Sequence, residues 1–349
     1  MRLEPRNDVP VYLTILAPAG AVVLALALTA IPLLWADVPV AQAYALIFEG
    51  ALGSRFALTE TLARATPLIF TGLAAAVAFR ARLWNIGAEG QLYAGALAAV
   101  ALGSGAFVAP AAVMVPMIVI VGAVAGALLM LIPTLLKLRL GVDEVVTTLL
   151  LNFVVLLFVS MMIEGPMKDP MGMGWPQTAP MIDQATLPKL IDRTRVHAGL
   201  ILAVVAAVVV WVLVNRTTWG FEMRAVGANP AAARFAGMPV ARVMLRVGLI
   251  SGALAGLAGV GEVAGLKGYL TLDLSPGFGY SGIVVAMLAQ LNALAVVVSA
   301  LFVAVVFVGA DFMSRSIGVS NYLANLIVAT SLLTMLAASL ATRYRLRLR

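Results

Sequence analysis

The residues in this chain equipped for chemistry stand in three short clusters. The first is Asn85-Ile86-Gly87-Ala88-Glu89-Gly90-Gln91, directly after Arg80 and Arg82 and at the head of an apolar stretch. A carboxylate at a bilayer centre costs at least about 2.5–3.5 kcal/mol on insertion scales, so Glu89, with Asn85 and Gln91, needs polar partners or an aqueous cavity. The two glycines permit close backbone approach or a helix break. The cluster reads either as a polar helix start or as lining of a transport pathway and its gate. The second cluster is Gly141-Val142-Asp143-Glu144-Val145-Val146-Thr147-Thr148, followed by Asn152. Asp143 and Glu144 suit a helix N-terminus, where the macrodipole favours negative charge. Asn152 lies two turns deeper and has no such role, which leaves an interhelical hydrogen bond or a pathway contact. In the third cluster Asn229 can cap a helix and Pro230 suits its first position. Ala231 to Ala236 are good or tolerable helix residues, and Gly237 fits the left-handed position that ends them, with Pro239 soon after. A helix of about two turns results, roughly 10 Å long. It exposes Arg234 and Phe235, an anchor pair suited to a partner's groove.

What is missing excludes other chemistry. There is no GxxxxGK[ST] phosphate loop, so the chain is not expected to hydrolyse ATP itself. The glycines of Gly256-Leu257-Ala258-Gly259-Val260-Gly261 lie in an apolar helix without the lysine such a loop needs. His197 is the single histidine and is read as structural. There are no cysteines, hence no disulfide, thiolate metal site or thiol nucleophile. No paired carboxylates stand where hydrolysis would need them. Neither an enzyme nor a cofactor or metal is expected.

The elements that must position these clusters are membrane helices. Hydrophobic residues make up 62% of the 349 and charged residues 11%, against roughly 45–50% and about 25% in soluble domains. So few charges cannot cover a water-soluble surface of this size, so lipid is part of the solvent. A bilayer core needs about 20 apolar residues in a helix, with every backbone polar group paired internally. By that ruler ten spans are expected, near 12–34, 61–79, 86–106, 111–135, 145–163, 197–214, 243–264, 279–291, 293–310 and 322–341. The eighth is short, as a broken or re-entrant span would be. The fold class is therefore all-α, one polytopic bundle over 1–349. The first apolar stretch is too long for a signal-peptide core of roughly 7–15 residues and reads as a retained anchor. With the N-terminus inside, fifteen of the 23 Lys and Arg fall at cytoplasmic ends, including Arg2, Arg6, Arg80, Arg82, Arg216, Arg234 and Arg349. This bias places both termini in the cytoplasm and requires an even number of spans. The net charge of +7 is dispersed in this way between apolar stretches and does not form a nucleic-acid patch. Gly122-xxx-Gly126 and Gly252-xxx-Gly256 let helix backbones approach closely in lipid. Two connections are long: an external loop over 164–196, passive or a docking surface, and an internal loop over 215–242 that holds the third cluster.

These residues resemble the permease subunits of ABC importers of the branched-chain amino acid, ribose and nucleoside class. Asn85 to Gln91 is similar to a signature of the simple-sugar and nucleoside branch, and Gly141 to Thr148 with Leu151-Asn152 resembles that branch's next block. Glu222 to Met238 resembles the coupling loop, and the likeness extends over about 60–335. The resemblance implies alternating-access transport of nucleosides or nucleobases across a bacterial inner membrane, with simple sugars as the alternative. It also implies two ATPase subunits, a second permease subunit of a different chain, an external solute-binding protein and surrounding membrane lipid. By carry-over, Asn229, Pro230, Ala233, Arg234, Phe235, Ala236 and Gly237 would form the helix that couples to an ATPase. Asn85, Glu89, Gln91 and Asn152 would line the pathway or its gate. One departure is visible: relatives tend to have a Gly-x-Asn-Pro-x-Gly-like turn where this chain reads Ala289-Gln290-Leu291-Asn292-Ala293-Leu294-Ala295. From a different class, an ion-coupled secondary transporter would use buried carboxylates, with Glu89, Glu262 and Asp311 as candidates. A membrane scaffold with no transport role predicts no polar cavity among its helices, and the polar clusters weigh against it.

Overall fold

The computed structural model describes residues 2–5, 11–105 and 107–347. Arg6 and Arg349, counted in the charge tally, and Ala106, at the end of the third expected span, lie outside them. Among the described residues the order is β1 (Arg2–Pro5), α1 (Val11–Trp35), α2 (Val40–Leu52), α3 (Arg55–Arg80), α4 (Ala88–Gly103), α5 (Ala111–Leu140) and α6 (Glu144–Glu164). There follow α7 (Gly199–Arg216), α8 (Thr218–Ala228), α9 (Pro230–Phe235), α10 (Val240–Val260), α11 (Phe278–Leu288), α12 (Ala293–Ile317), α13 (Asn321–Arg343) and β2 (Tyr344–Arg347). The all-helical expectation holds apart from β1 and β2, which pair antiparallel with Arg2 opposite Arg347 and Pro5 opposite Tyr344.

Six of these helices, α3, α5, α6, α7, α10 with its continuation to Lys267, and α12, are long and apolar enough to cross a membrane. Val23–Trp35 and Val40–Leu52 pass the same test only together, bent by 118°. The ten expected spans are therefore not all met by length. α4 has 16 residues, about 24 Å of helix against a hydrocarbon core of about 30 Å. α11, at 11 residues, is shorter still. In both cases the chain ahead of the helix runs non-helically, over 81–87 and 268–277, and the helix also stops short of its expected end, at Gly103 and at Leu288.

The chain divides into two compact units. In the first, Met1–Arg64 with Leu301–Arg349, α1 packs along α13. The α1–α2 corner turns on Asp37 at φ +54°, and Val38 N–H closes it by donating to Leu33 O at 3.0 Å. Leu33, Val38 and Ala43 then bury against Met313 and Ile327. The sequence reading placed no element over 40–52, because a 13-residue helix is too short to register as a span. Gly309 lies against the Ile47 backbone and Gly50 under the Phe312 ring, which fixes α2 on α12. Arg64 pairs with Asp311 at 3.1 Å.

In the second unit, Ala65–Ala300, α4, α5 and α10 meet backbone to backbone. The two small-residue spacings face each other: a Cβ on Gly126 would lie 2.8 Å from Gly256 Cα, and one on Gly252 would lie 2.9 Å from Ala127 Cα. Gly95 of α4 closes on the same Gly256, 2.6 Å from its Cα to an added Cβ. Beyond Val260 the helix widens into a π-helical stretch, Gly261–Lys267, which holds Glu262 buried. The long connection over 164–196, which runs on to α7, lies across the ends of these helices: Met181 N–H bonds Gly268 O at 2.7 Å, Ile182 N–H bonds Gly103 O at 2.8 Å and Leu187 N–H bonds Ala264 O at 2.8 Å. His197 sits in this loop, paired with Lys189 and two residues ahead of α7. Its Nδ1 accepts the Gly199 N–H at 3.1 Å. Burial, and then the Lys189 ammonium, push its pKa down to about 4, so the ring is neutral and structural.

Candidate functional site

The non-helical stretch 81–87 carries backbone donors and acceptors that lipid cannot satisfy. α6 supplies partners from one face, at four-residue intervals. Glu144 Oε1 accepts the Trp84 N–H at 3.1 Å and also takes the Lys137 ammonium. Thr148 Oγ1 accepts the Ile86 N–H at 3.3 Å. Asn152 Oδ1 accepts the Gly90 N–H at 2.8 Å while its Nδ2 donates to Ile86 O at 3.1 Å. Residues four apart share a helix face, so 144, 148 and 152 form one ladder. Asp143 does cap α6, its Oδ1 taking the Val145 N–H at 2.8 Å. Only the glycines allow the approach: a Cβ on Gly87 would lie 3.0 Å from Thr148 Cβ, and one on Gly90 would lie 2.8 Å from Asn152 Oδ1.

Asn85 and Gln91 lock the other side. Asn85 Nδ2 donates to Gln91 Oε1 at 2.8 Å, and Gln91 Nε2 returns a bond to Asn85 Oδ1 at 2.9 Å. Ser251 of α10 accepts from Asn85 Nδ2 at 2.9 Å and donates to Ala74 O at 2.8 Å. The reciprocal pair is a closed polar unit, the arrangement that makes a buried amide tolerable.

The second broken segment, 268–277, is held by the opening turns of α4. Glu89 Oε2 accepts the Gly279 N–H at 2.6 Å, and Tyr93, four residues on, accepts the Ser275 N–H at 3.2 Å and donates to Leu272 O. Ser275 Oγ takes the Gly277 and Phe278 N–H groups at 3.2 and 2.9 Å. Glu89 thus lies between two helix N-termini, its own and that of α11, where both sets of orphan N–H groups favour a carboxylate. Tyr280, in the first turn of α11, completes the web: its hydroxyl accepts from Asn152 Nδ2 at 3.1 Å.

The structure brings Asn85, Glu89, Gln91 and Asn152 together, all buried, each engaged with the chain's own groups. Thr148, quoted in the second cluster but given no role, joins them, as do Ser251, Tyr93, Ser275 and Tyr280, which were missed. Single Ser, Thr and Tyr residues among apolar neighbours give no local signal, although the four-residue interval from Glu144 to Asn152 was readable. Two of the three carboxylates that an ion-coupled carrier would use are engaged with the chain's own groups: Glu89 by the Gly279 N–H and Asp311 by Arg64.

If Glu89 acts as an acceptor for the α11 N-terminus, Glu89→Ala strands the Gly279 N–H and should cost about 2 kcal/mol of stability. Glu89→Gln keeps an acceptor oxygen and should cost less than half of that, with transport retained. Thermal unfolding in detergent and uptake by both variants check this. A Gln variant that is stable but inactive would instead mean that Glu89 carries a proton.

The third cluster forms the helix its residues specify. Asn229 Oδ1 accepts the Ala231 and Ala232 N–H groups at 3.0 and 3.1 Å, Pro230 opens the turn and Gly237 follows at φ +81°. Ala233 is buried while Phe235 is 97% exposed. One residue before this helix's neighbour ends, Gly227 of α8 lies against Arg80 O and 3.1 Å (from an added Cβ) off Ala81 Cα. The short helix, α8, the α3 C-terminus and the 81–87 stretch are therefore in contiguous contact. Arg80 Nε also donates to Leu291 O at 2.9 Å. There the turn over 289–292 is left-handed, with Gln290 at φ +49° and Leu291 at φ +60° in positions where glycine is easier. Asn292 caps α12 through the Leu294 N–H at 3.0 Å.

Known proteins resemble the chain over nearly its whole length. It is 39% identical to the glucose ABC transporter permease protein TsgB13 of Haloferax volcanii, over 99% of this chain and 93% of the relative. It is 37% identical to the guanosine ABC transporter permease protein NupP of Bacillus subtilis, over 95% of each. It is 34% identical to the nucleoside ABC transporter permease protein NupB of Lactococcus lactis, over 86% of this chain and 85% of the relative. No solved structure matches it. Residues 57–341 match the family described as the branched-chain amino acid transport system, permease component. With its apolar helices and whole-length relatives, this chain belongs to that family and is the multi-pass membrane permease of an ABC transport system.

Proposed function

We propose that this permease moves nucleosides or free nucleobases inward across the bacterial inner membrane by alternating access. It works in a pair with a second, different permease chain, over two ATPase subunits and beneath an external solute-binding protein. The observation that carries the reading is the capped helix Pro230–Phe235, whose cap, left-handed exit and almost fully exposed Phe235 suit a knob seated in an ATPase groove. Asn229, Pro230, Ala233, Arg234, Phe235, Ala236 and Gly237 are its coupling residues. Asn85, Glu89, Gln91 and Asn152 act as the lock of the gate, holding the two broken segments where transport requires movement. On the opposite side, the loop tip exposing Met171, Met173 and Trp175 is the docking surface for the binding protein.

Ten spans with both ends in the cytoplasm remain the reading of the topology, counting α4 and α11 together with the non-helical chain ahead of each. The β1–β2 pairing supports an even number, since it joins the two ends of the chain on one side. The solute follows the guanosine and nucleoside permeases among its relatives. A second reading, transport of a simple sugar such as glucose, is favoured by the relative at 39% identity.

The test is uptake of radiolabelled guanosine and glucose into proteoliposomes that contain the complete assembly. Guanosine uptake that requires ATP and the binding protein is the expected result. Glucose uptake without guanosine uptake gives the second reading, and uptake by this chain alone on an ion gradient overturns the ABC mechanism.

A further inference from the structure

The β1–β2 ribbon has no part in the transport reading. Arg2 pairs opposite Arg347, Leu3 opposite Leu346, Glu4 opposite Arg345 and Pro5 opposite Tyr344. Alternate residues of a strand belong to opposite faces, and residues directly opposite each other share one. The register therefore sorts the ribbon: Arg2, Glu4, Arg345 and Arg347 fall on one face, and Leu3, Pro5, Tyr344 and Leu346 on the other. In sequence the second strand belongs to a strict basic–apolar alternation that runs from Arg343 to Arg349. Neither face is settled by the ribbon itself. Arg2 and Arg347 are like charges set directly opposite, which is destabilising, and on that face Glu4 is one counter-charge for three arginines. A two-stranded ribbon is also marginal in water unless its apolar face lies on something.

The place of the ribbon in the chain says what it lies on. α13 carries no charge from Asn321 to Thr342. Its 23 residues rise about 35 Å, against a hydrocarbon core of about 30 Å. Arg343 therefore emerges among lipid headgroups, and β2 follows it with no residue between. Four extended residues reach at most about 14 Å, so the whole strand stays near the phosphates. We propose that the ribbon lies in the bilayer surface and binds the phosphates of anionic phospholipids, with Arg2 and Arg347 sharing one. A lipid surface satisfies both faces at once, taking Leu3, Pro5, Tyr344 and Leu346 at the acyl boundary, where tyrosine is at home, and the arginines at headgroup level. An acidic protein surface would satisfy the arginines alone. The inference goes beyond the transport reading and rests on α13 spanning the bilayer.

The chain has no cysteine, so nitroxide labels can be placed singly in the full-length permease. It is reconstituted in phosphatidylcholine vesicles with about one-third phosphatidylglycerol. At Leu346→Cys, relaxation by oxygen, which concentrates in lipid, should exceed relaxation by a water-soluble nickel chelate. At Arg347→Cys the order should reverse. Leu333→Cys, on the open side of α13, should report hydrocarbon depth. If it does not, the span itself has been misread and the proposal falls with it. Labels at 346 and 347 that respond alike, or that are shielded only once the ATPase subunits are added, mean that water or a protein covers the ribbon, and overturn the proposal. Native mass spectrometry then counts the phosphatidylglycerol bound as its share in the vesicles rises. The triple variant Arg2→Gln, Arg345→Gln, Arg347→Gln should need at least about tenfold more of this lipid for the same occupancy. Arg139→Gln, Arg242→Gln, Arg246→Gln, which removes the same charge from exposed positions outside the ribbon, should stay within about twofold of the parent. An unchanged requirement in the first triple, or an equal rise in both, overturns the ribbon as the site.

Discussion

Alanine at Phe235 is expected to abolish ATP-driven uptake while leaving the permease folded. The side chain is almost wholly exposed, so its loss removes next to nothing from the chain's own stability, within about 0.5 kcal/mol. In the proposed coupling role its value lies in a partner's pocket. Aromatic anchors at the centre of an interface are worth 2 kcal/mol or more on truncation, roughly a 30-fold loss in affinity. The rest of the short helix exists to hold that ring still. The two hydrogen bonds that Asn229 Oδ1 accepts and the left-handed Gly237 fix both ends, and Ala233 is buried behind. Behind it again, Gly227 rests on Arg80 and Ala81, the start of the stretch that α6 and Asn85 lock in place. A push on the ring can thus reach the broken helices through touching backbone. Asn229→Ala, which loses about 1 kcal/mol of capping, should lower uptake partially with the ring intact. Co-purification of the ATPase subunits and uptake by the same preparations measure both. A Phe235→Ala permease that retains its ATPases and its transport would sink the coupling assignment.

The local signals legible in the sequence were those that a few adjacent residues write unaided. Asn229, Pro230 and Gly237 specify the short helix because a cap, a first-turn proline and a left-handed exit all act within the turn they occupy. Asp143 specifies the start of α6 in the same way. The polar lock was legible in membership and not in meaning. Asn85, Glu89, Gln91 and Asn152 stood out because polar groups in lipid need a reason, but beyond the Asn85–Gln91 pair the partners of Asn85, Glu89 and Asn152 on other elements come from 62 to 190 residues away, and no local pattern announces them. Hydropathy also overstated α4 and α11, since apolar residues just outside a helix count toward a span as helical ones do: α4 stops at Gly103 and α11 at Leu288, short of the expected ends at 106 and 291. Gly87 marked the first of the two breaks, the one ahead of α4. Hydropathy passed over α2 for the opposite reason, a helix of 13 residues being too short to register.

Leucine at Gly256 is expected to prevent the permease from accumulating in a folded form. Gly256 is where three helices converge: Gly122 O and Gly126 Cα of α5 lie on one side of it and Gly95 of α4 on the other. A Cβ there would already sit against the Gly122 carbonyl and 3.2 Å from Gly126 Cα. The obstacles are backbone atoms of packed helices, which cannot rotate aside as a flexible side chain can. Overfilling a well-packed core costs about 1–3 kcal/mol where side chains adjust, and more where they cannot. The whole stability of a typical fold is only about 5–15 kcal/mol. In lipid no hydrophobic drive compensates, because helices associate through close contact itself. The consequence extends to the site, since α4 presents Glu89 and Tyr93 and α10 presents Ser251 from these same helices. Gly256→Ala should be the milder defect, a clear fall in the temperature of unfolding in detergent with some transport left. Val205→Leu, a similar gain in size on the open face of α7, should change stability by less than about 0.5 kcal/mol. If Gly256→Leu instead folds and transports like the parent, α4, α5 and α10 do not meet through their backbones, and the position of the lock loses its foundation.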